Sequence, residues 1–503
     1  MLDNKKVEEI RNKVWATYET FRGVMNAAEF MDFILPLLFL KYVSDVWKDH
    51  YAELKKRFGD DENQILECME HERFVLPKGK SFDDLHGQRN ANNIGMLIDA
   101  AIDAIKETNK TKLDGVFCNI SYNSKAKFGT THDRNQRLEK LLDDFAKIDL
   151  RPSQVSEAIV GEAYINIIER FAMNAGKNSG EFYTPRQVAR LLAKLAAPQP
   201  GDLICDPACG SGSLLIRAGE EISDKNFALF GQELNANTCA LARMNMILHG
   251  IDNARIELGD TLKCPKLVND NSLMKFDVVL ANPPFSFNIW GAENAEADRY
   301  ARFWRGVPPK SKGDYAFISH MVEVAKARKG RVAVVVPHGV LFRGAAEGRI
   351  RQKLVEENLL DAVIGLPQNL FPTTSIPVAI LVFDRSREHG GANESRTDVV
   401  FIDASREFQP GKYQNALLDE HVDNIVVAYR SRKNMAKFVR AVSIREIGEN
   451  DFNLNIPNYV NSLEGDEETD VTNVQKEIEE LEIELAEVRA KMRKYPRELG
   501  DNT

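Results

Sequence analysis

The sequence predicts an α/β protein: a mostly parallel sheet covered on both faces by helices, with a helical domain before it and a helical tail after it. Three observations predict this. Seven short apolar runs alternate with helix-like stretches between residues 152 and 385, the rhythm of strand–helix–strand units whose crossovers lie on the sheet faces. The first of these runs, Asp202-Leu-Ile-Cys-Asp206, ends in a glycine-rich turn, Pro207-Ala-Cys-Gly-Ser-Gly212. From Val471 onward the apolar residues settle into heptads.

Residues 1–151 read as mostly helical. The stretch 26–47 is dense in apolar, helix-favouring residues, and charged or polar segments separate it from its neighbours. Nothing in this part looks catalytic, and a packing domain is expected. Residues 152–410 carry the sheet. Strands are expected at 203–205, 228–232, 255–258, 277–280, 331–336, 361–365 and 378–383, with one more short run at 399–402. Helices are expected between them at 186–196, 214–222, 235–248, 315–327 and 345–356. Residues 411–470 read as an irregular connecting region. In the tail, residues 471–495, Val471, Ile478, Leu485 and Met492 share one heptad position. Val474, Leu481, Val488 and Tyr495 share the other, before Pro496. Such a two-position seam is narrower than a helix buried in a globular core needs. A helix that docks on a partner is expected, with a helix folded back on its own chain as the alternative.

The composition, 43% hydrophobic and 28% charged over 503 residues, suits a soluble globular protein of two or three domains. No apolar stretch approaches membrane-spanning length, and the charged N-terminus is unlike a signal peptide. Six cysteines without paired spacing point to a reducing cytoplasm. Cys205 and Cys209 read as small apolar residues, and no metal site is expected. Residues 464–503 hold 13 acidic and 6 basic side chains and so account for −7 of the net charge of −9. The body of the chain is nearly balanced. It lacks the basic excess of a protein that grips DNA unaided.

The candidate site lies where strands end, since ligands of open α/β sheets bind beyond the carboxyl ends of the strands. Gly210 and Gly212 allow backbone angles closed to other residues, and the helix starting at Ser213 aims its amides at a ligand. A dinucleotide-binding turn would share this outline. Glu233 ends the next strand and suits ribose hydroxyls. Asp260 follows the third strand and suits an adenine amino group. Together with Asp206 they form an ordered series over successive strands. Upstream, Gly180-Glu-Phe-Tyr-Thr-Pro-Arg186 precedes a helix, with Thr184 as N-cap and Pro185 at the first helical position. That helix start suits a carboxylate. Downstream, Asn282-Pro283-Pro284-Phe285 follows a buried strand. The Asn282 side-chain oxygen and the Pro283 carbonyl can accept the two hydrogens of a planar amine, and Phe285 offers a stacking face for a base rotated out of a duplex. A methyl donor such as S-adenosylmethionine beside such an amine is the chemistry this pairing suits.

These motifs resemble the N6-adenine DNA methyltransferases. Together with the helical start 30–47, the block Lys312-Gly-Asp-Tyr-Ala-Phe317, residues 331–339 and Phe401-Ile-Asp-Ala-Ser-Arg-Glu-Phe408, they resemble the modification (M) subunit of type I restriction-modification systems. The resemblance implies a Rossmann-like methyltransferase sheet and adenine-specific methylation of double-stranded DNA. It also implies a complex of two M subunits with one specificity (S) subunit that reads the sequence, to which restriction (R) subunits add. It assigns S-adenosylmethionine to Glu181, Phe182, Tyr183, Thr184, Pro185, Arg186, Gly210, Ser211, Gly212, Ser213 and Glu233. Asn282, Pro283, Pro284 and Phe285 become the catalytic motif. Independently of the resemblance, only 45 residues separate Phe285 from Arg331, too few for a substantial recognition domain. Sequence reading is therefore expected to lie on another chain. Enzymes that methylate glutamine amides in proteins or bases in RNA share the Asn-Pro-Pro-aromatic logic and stand as the alternative.

Overall fold

Parallel strands buried on both faces need continuous apolar runs, and those runs become strands here. In the computed structural model, which describes residues 3–21, 25–118, 120–174, 183–371, 374–412 and 414–461, they are β1 (Leu203–Asp206), β2 (Ala228–Glu233) and β3 (Arg255–Leu258). A small hairpin follows, β4 (Val268–Asn269) and β5 (Ser272–Leu273). Then come β6 (Val278–Ala281), β7 (Arg331–Pro337), β8 (Leu360–Gly365), β9 (Val378–Asp384), β10 (Asp398–Asp403) and β11 (Val439–Ser443). Among the described residues the main sheet has the order β11-β10-β8-β9-β7-β6-β1-β2-β3. β3, β2, β1, β6 and β7 run parallel, β9 is antiparallel to both of its neighbours, and β11 is antiparallel to β10.

The chain order reverses between β1 and β6, which lie side by side with Ile204 opposite Val278 and Cys205 opposite Val279. The turns leaving these two strands therefore open on the same crevice, the usual ligand position in such sheets. The glycine-rich turn leaves one and Asn282 the other.

The expected irregular region 411–470 is a correction. Its described part forms a helix, Asp419–Ser431, the edge strand β11 and a short helix, Ile444–Glu449. The helix buries Val422, Ile425, Val426 and Tyr429 on the sheet core, and Asp419 and Asp423 pair with Arg190 and Lys194. β11 escapes a sequence reading because only Val439 and Val442 of its five residues are buried, too weak an alternation to register.

The N-terminal helices centre on one long helix, Ala27–Phe58, which runs through Pro36 and is capped by the Asn26 side chain. Their core is shared with the sheet domain. The helix Ala236–Leu248 puts Cys239, Ala242 and Met246 on the sheet and Leu241, Met244, Ile247 and Leu248 into the N-terminal helical core. Arg73 adds polar ties, donating to Glu157 at 2.6 Å, to Asp252 at 2.5 Å and to the Ile247 carbonyl at 2.6 Å. Among the described residues no helix is long and apolar enough to cross a membrane. The heptad stretch 471–495 and the cofactor candidates Glu181 and Phe182 lie outside the described residues.

Candidate active site

β1 delivers Asp206 to the crevice, and the following turn is shaped by its glycines. Gly210 and Gly212 sit at φ 53° and 77°. At Gly212 the positive φ favours glycine, and a Cβ there would also displace the tip of Met246, whose Cε lies 2.6 Å from its position. Gly212 then caps the helix Ser213–Glu220. Glu233, at the end of β2, fastens this turn: its Oε2 accepts from the Gly210 N–H at 3.0 Å and its Oε1 from the Asn235 N–H at 2.8 Å. Asn235 in turn caps the helix Ala236–Leu248 through the N–H groups of Asn237 and Thr238. Asp260 accepts from Leu262 and Lys263 N–H groups with Oδ1, at 2.9 and 3.0 Å.

Asp206, Gly210, Glu233, Asn235 and Asp260 line a cavity of about 450 Å³, together with Thr184, Ser213, Asn282 and Pro284. Two of its carboxyls, Asp206 and Glu233, have no cation beside them among the described residues. Burial pushes the Asp206 carboxyl up to about 8, and the nearby Glu233 charge adds to the effect. Burial likewise raises Glu233, against the pull of the N–H groups it accepts from. A cavity with such carboxyls favours a ligand that carries positive charge and hydroxyl donors.

Asn282 also lines the cavity. Its Nδ2 donates to Thr184 Oγ1 at 3.2 Å, and its Oδ1 is buried without a hydrogen-bond partner among the described residues. Buried acceptors are nearly always satisfied, so this one is open to a donor. The loop beyond it is held from behind. Ser286 adopts φ 53°, a left-handed conformation that costs a non-glycine residue of order 1 kcal/mol. Its N–H donates to Asp314 Oδ1 at 2.8 Å, and Arg343 Nη1 donates to Asp314 Oδ2 at 2.8 Å. The Gly313 N–H donates to the Phe287 carbonyl at 2.8 Å. The block Lys312–Phe317 thus clamps the loop that follows Asn282.

Several expected residues have other positions. The helix Arg186–Ala196 has the expected range, but its cap differs from the expected Thr184. Pro185 occupies the N-cap, with no side-chain cap, because Thr184 is engaged with Asn282. Arg186 pairs with Glu162 at 2.8 Å, and Tyr183 is buried. Tyr183, Pro185, Arg186, Ser211, Gly212, Pro283 and Phe285 are not among the residues lining the cavity. Ser211 is buried with its hydroxyl unpartnered. Phe285 is half-buried and meets Phe371 edge-on at 6.3 Å. Phe287 and Phe317 present aromatic carbon to the cavity in its stead. Sequence reasoning missed these two, as well as Asn235, Thr238 and Thr261. Phe317 had a signal, since it closes the Lys312–Phe317 block, whereas Phe287 enters only through the turn at Ser286.

The family described as N-6 DNA methylase matches residues 155–468, and the HsdM N-terminal domain matches residues 10–145. The chain is 30% identical to the type I restriction enzyme MpnII methylase subunit of Mycoplasma pneumoniae, over 98% of this chain and 97% of that protein. It is 33% identical to the MjaVIII methylase subunit of Methanocaldococcus jannaschii, over 93% and 81%. The crystal structure of a type I restriction-modification methyltransferase subunit from Streptococcus thermophilus superposes with a TM-score of 0.81 at 35% identity, covering 91% of this chain and 100% of that one. The chain belongs to the N-6 DNA methylase family, among the methylase subunits of type I restriction-modification systems.

Proposed function

We propose that the chain binds S-adenosylmethionine in the cavity beyond β1 and β2 and methylates the N6 amino group of an adenine rotated out of double-stranded DNA. The observation that carries this reading is Asn282 Oδ1, a buried acceptor without a partner among the described residues, on the wall of a carboxylate-lined cavity. When bound, S-adenosylmethionine supplies an electrophilic methyl group on a cationic sulfur. The residues present fit such a group. Asp206 and Glu233, both raised by burial, favour a cation, whereas the pyrophosphate of a dinucleotide would raise them further. Glu233 and Asp260 keep oxygen lone pairs for ribose hydroxyls and an adenine amine. Thr184 and the glycine-rich turn complete the enclosure.

Asn282 Oδ1 accepts one hydrogen of the target amine, and the Pro283 carbonyl is assigned the other. Two acceptors in fixed positions draw the amine nitrogen toward a pyramidal shape and aim its lone pair. Phe287 supplies the aromatic wall of the pocket. The near-neutral body and the short connection between Phe285 and Arg331 support delegation of sequence reading to a specificity (S) subunit in the cytoplasm. Two copies of this chain would serve each S subunit, with restriction (R) subunits in the complete assembly. The heptads of residues 471–495 are assigned to docking.

Single-molecule sequencing of DNA from cells expressing the chain with its S subunit tests this. N6-methyladenine is expected at one defined sequence. A chain ending at residue 470 is expected to keep cofactor binding and to lose assembly and methylation. Methylation of RNA or of protein amides with DNA untouched would overturn the reading.

A further inference from the structure

We infer that Arg302 is a positioning residue for recognition of the cofactor's base: from outside the cavity its guanidinium grips the Thr261 and Leu262 carbonyls and so sets the turn whose Asp260 carboxylate meets the adenine amine. The inference rests on the S-adenosylmethionine reading above and adds to it the group that places the base-reading carboxylate.

Asp260 organises one side of the turn after β3, with Oδ1 accepting from the Leu262 and Lys263 N–H groups at 2.9 and 3.0 Å. Oδ1 is thereby committed and Oδ2 is left to meet a ligand, with Lys263 Nζ 3.7 Å from it. Where Oδ2 lies depends on the turn as a whole. The Thr261 and Leu262 carbonyls accept from Arg302 Nη1 at 3.0 Å and Nη2 at 2.6 Å. A guanidinium only donates and a carbonyl only accepts, so these contacts have one sense. The planar fork also reaches two neighbouring oxygens at once, which a single ammonium does not. The Thr261 hydroxyl donates to the Pro207 carbonyl at 2.6 Å and carries the same hold to the glycine-rich turn. The far end of the loop is tied by Gln232, which bonds the Lys266 N–H and the Cys264 carbonyl. Gln232 lines the cavity, whereas Arg302 is not among the lining residues.

Arg302 is itself firmly held. It is 2% exposed, and each of its five N–H groups has an acceptor. Nε and Nη2 donate to Asp298 at 3.0 and 2.7 Å, and Nη1 also meets His320 Nδ1 at 3.2 Å. Burial, with Arg302 and Lys275 adding to it, pushes His320 well below its ordinary value, so the ring is neutral and its Nδ1 can accept. Burial alone would raise the Asp298 carboxyl, but its bonds with Arg302 bring it below its ordinary value. A pair with Asp298 would by itself satisfy the charge of Arg302. The donors left over go to the backbone of the turn that carries Asp260, 40 residues away at Leu262. Arg302 belongs to the connection between β6 and β7, and that connection also packs on the turn: Leu262 shares an apolar cluster with Trp290, Phe303 and Phe317.

The test uses the full chain assembled with its S subunit and reads two dissociation constants by calorimetry. One is for S-adenosylhomocysteine, the compound left after methyl transfer, and the other is for the same compound with the amino group of its base removed. Their ratio isolates the amine, because a general loosening of the cavity weakens both alike. The wild-type ratio is expected to favour adenine by roughly ten- to a hundredfold, the worth of one hydrogen bond to a carboxylate. Arg302→Lys keeps the charge beside Asp298 but does not span both carbonyls, and its ratio is expected to fall to within about threefold of unity. Asp260→Asn keeps the acceptor for the turn, replaces the other oxygen with a donor, and should show the same loss. In the double variant the two losses should not add, since both act through one carboxylate. Asp298→Asn loosens the guanidinium from its other side and serves if the lysine variant does not fold; its ratio should fall by about threefold or more. An unchanged ratio in folded Arg302→Lys or in Asp298→Asn, equal weakening of both compounds, additive losses, or a wild-type ratio near unity would overturn the inference. A wild-type complex that binds neither compound would instead overturn the cofactor reading on which it rests.

Discussion

The two edges of one sheet treat buried polar groups in opposite ways. At the amino ends of the parallel strands the buried carboxylates Asp277 and Asp361 are matched by cations. Asp277 accepts from Lys326 at 2.6 Å, Lys329 at 2.5 Å and the Leu203 N–H at 3.1 Å. Burial pushes its carboxyl up, yet these partners bring it below the ordinary value. Asp361, on β8, accepts from Arg387 at 2.6 Å, Arg432 at 2.7 Å and the Tyr429 hydroxyl at 2.5 Å, with the same outcome. At the carboxyl ends the pattern is reversed. Among the described residues Asp206 is buried without a cation, and Asn282 Oδ1 and Ser211 Oγ have no partner. Residues of the same types stabilise the fold at one edge and stay available for a ligand at the other. A protein that leaves acceptors unsatisfied forgoes stability there, the usual mark of a functional site.

Substitutions at the two edges should therefore separate activity from stability. The largest effect is expected from Asn282→Ala, which removes the unpartnered acceptor. Turnover should fall by about three orders of magnitude or more, while thermal stability and cofactor affinity remain close to wild type. Retained turnover would show that the oxygen is not used. At the other edge, Asp361→Ala leaves the buried Arg387 without its carboxylate partner, while Arg432 keeps Asp398. The expected loss is about 3–5 kcal/mol of folding stability, read by denaturant unfolding, with methyl transfer per folded molecule preserved. A loss of turnover without a loss of stability would erase the contrast.

The smallest effect is a pH dependence. The Asp206 carboxyl, ordinarily near 3.8, is raised to about 8. Its contribution to stability is therefore present in full below about 4 and is lost as pH rises toward 8. A cationic ligand reverses this preference and draws a proton off. Cofactor affinity should rise by at most about tenfold per pH unit up to about 8. Calorimetry in buffers of different ionisation heat should detect the released proton. Asp206→Asn should flatten the profile, and an unchanged slope in that variant would remove Asp206 from the argument.

Much of this arrangement was legible in the sequence. The strands at 203–205, 331–336 and 378–383 are long or pure apolar runs, and β1, β7 and β9 appear within a residue of those bounds. Asp206, Glu233, Asp260 and Asn282 were found because each ends or follows a strand, a position that needs only local pattern. Phe287, Phe317 and the clamp of Asp314 on Ser286 were not found as site elements. Each depends on how two loops meet, and neither loop carries that information alone. The cap at Thr184 was misread for the same reason: a threonine before a proline fits an N-cap, and only the proximity of Asn282 redirects its hydroxyl.

The chain by itself determined the strand and helix alternation, the glycine turn and the chemistry of its strand ends. These follow from short-range rules: apolar runs bury, glycines admit positive φ, and carboxylates prefer solvent or a donor. Tertiary structure alone decided which of those groups became satisfied. That outcome depends on strand order, which brings β6 beside β1 and Thr184 beside Asn282. A hydrogen bond forms or is left open according to a few ångströms of separation between residues far apart in sequence, and that separation arises only when the whole sheet is assembled.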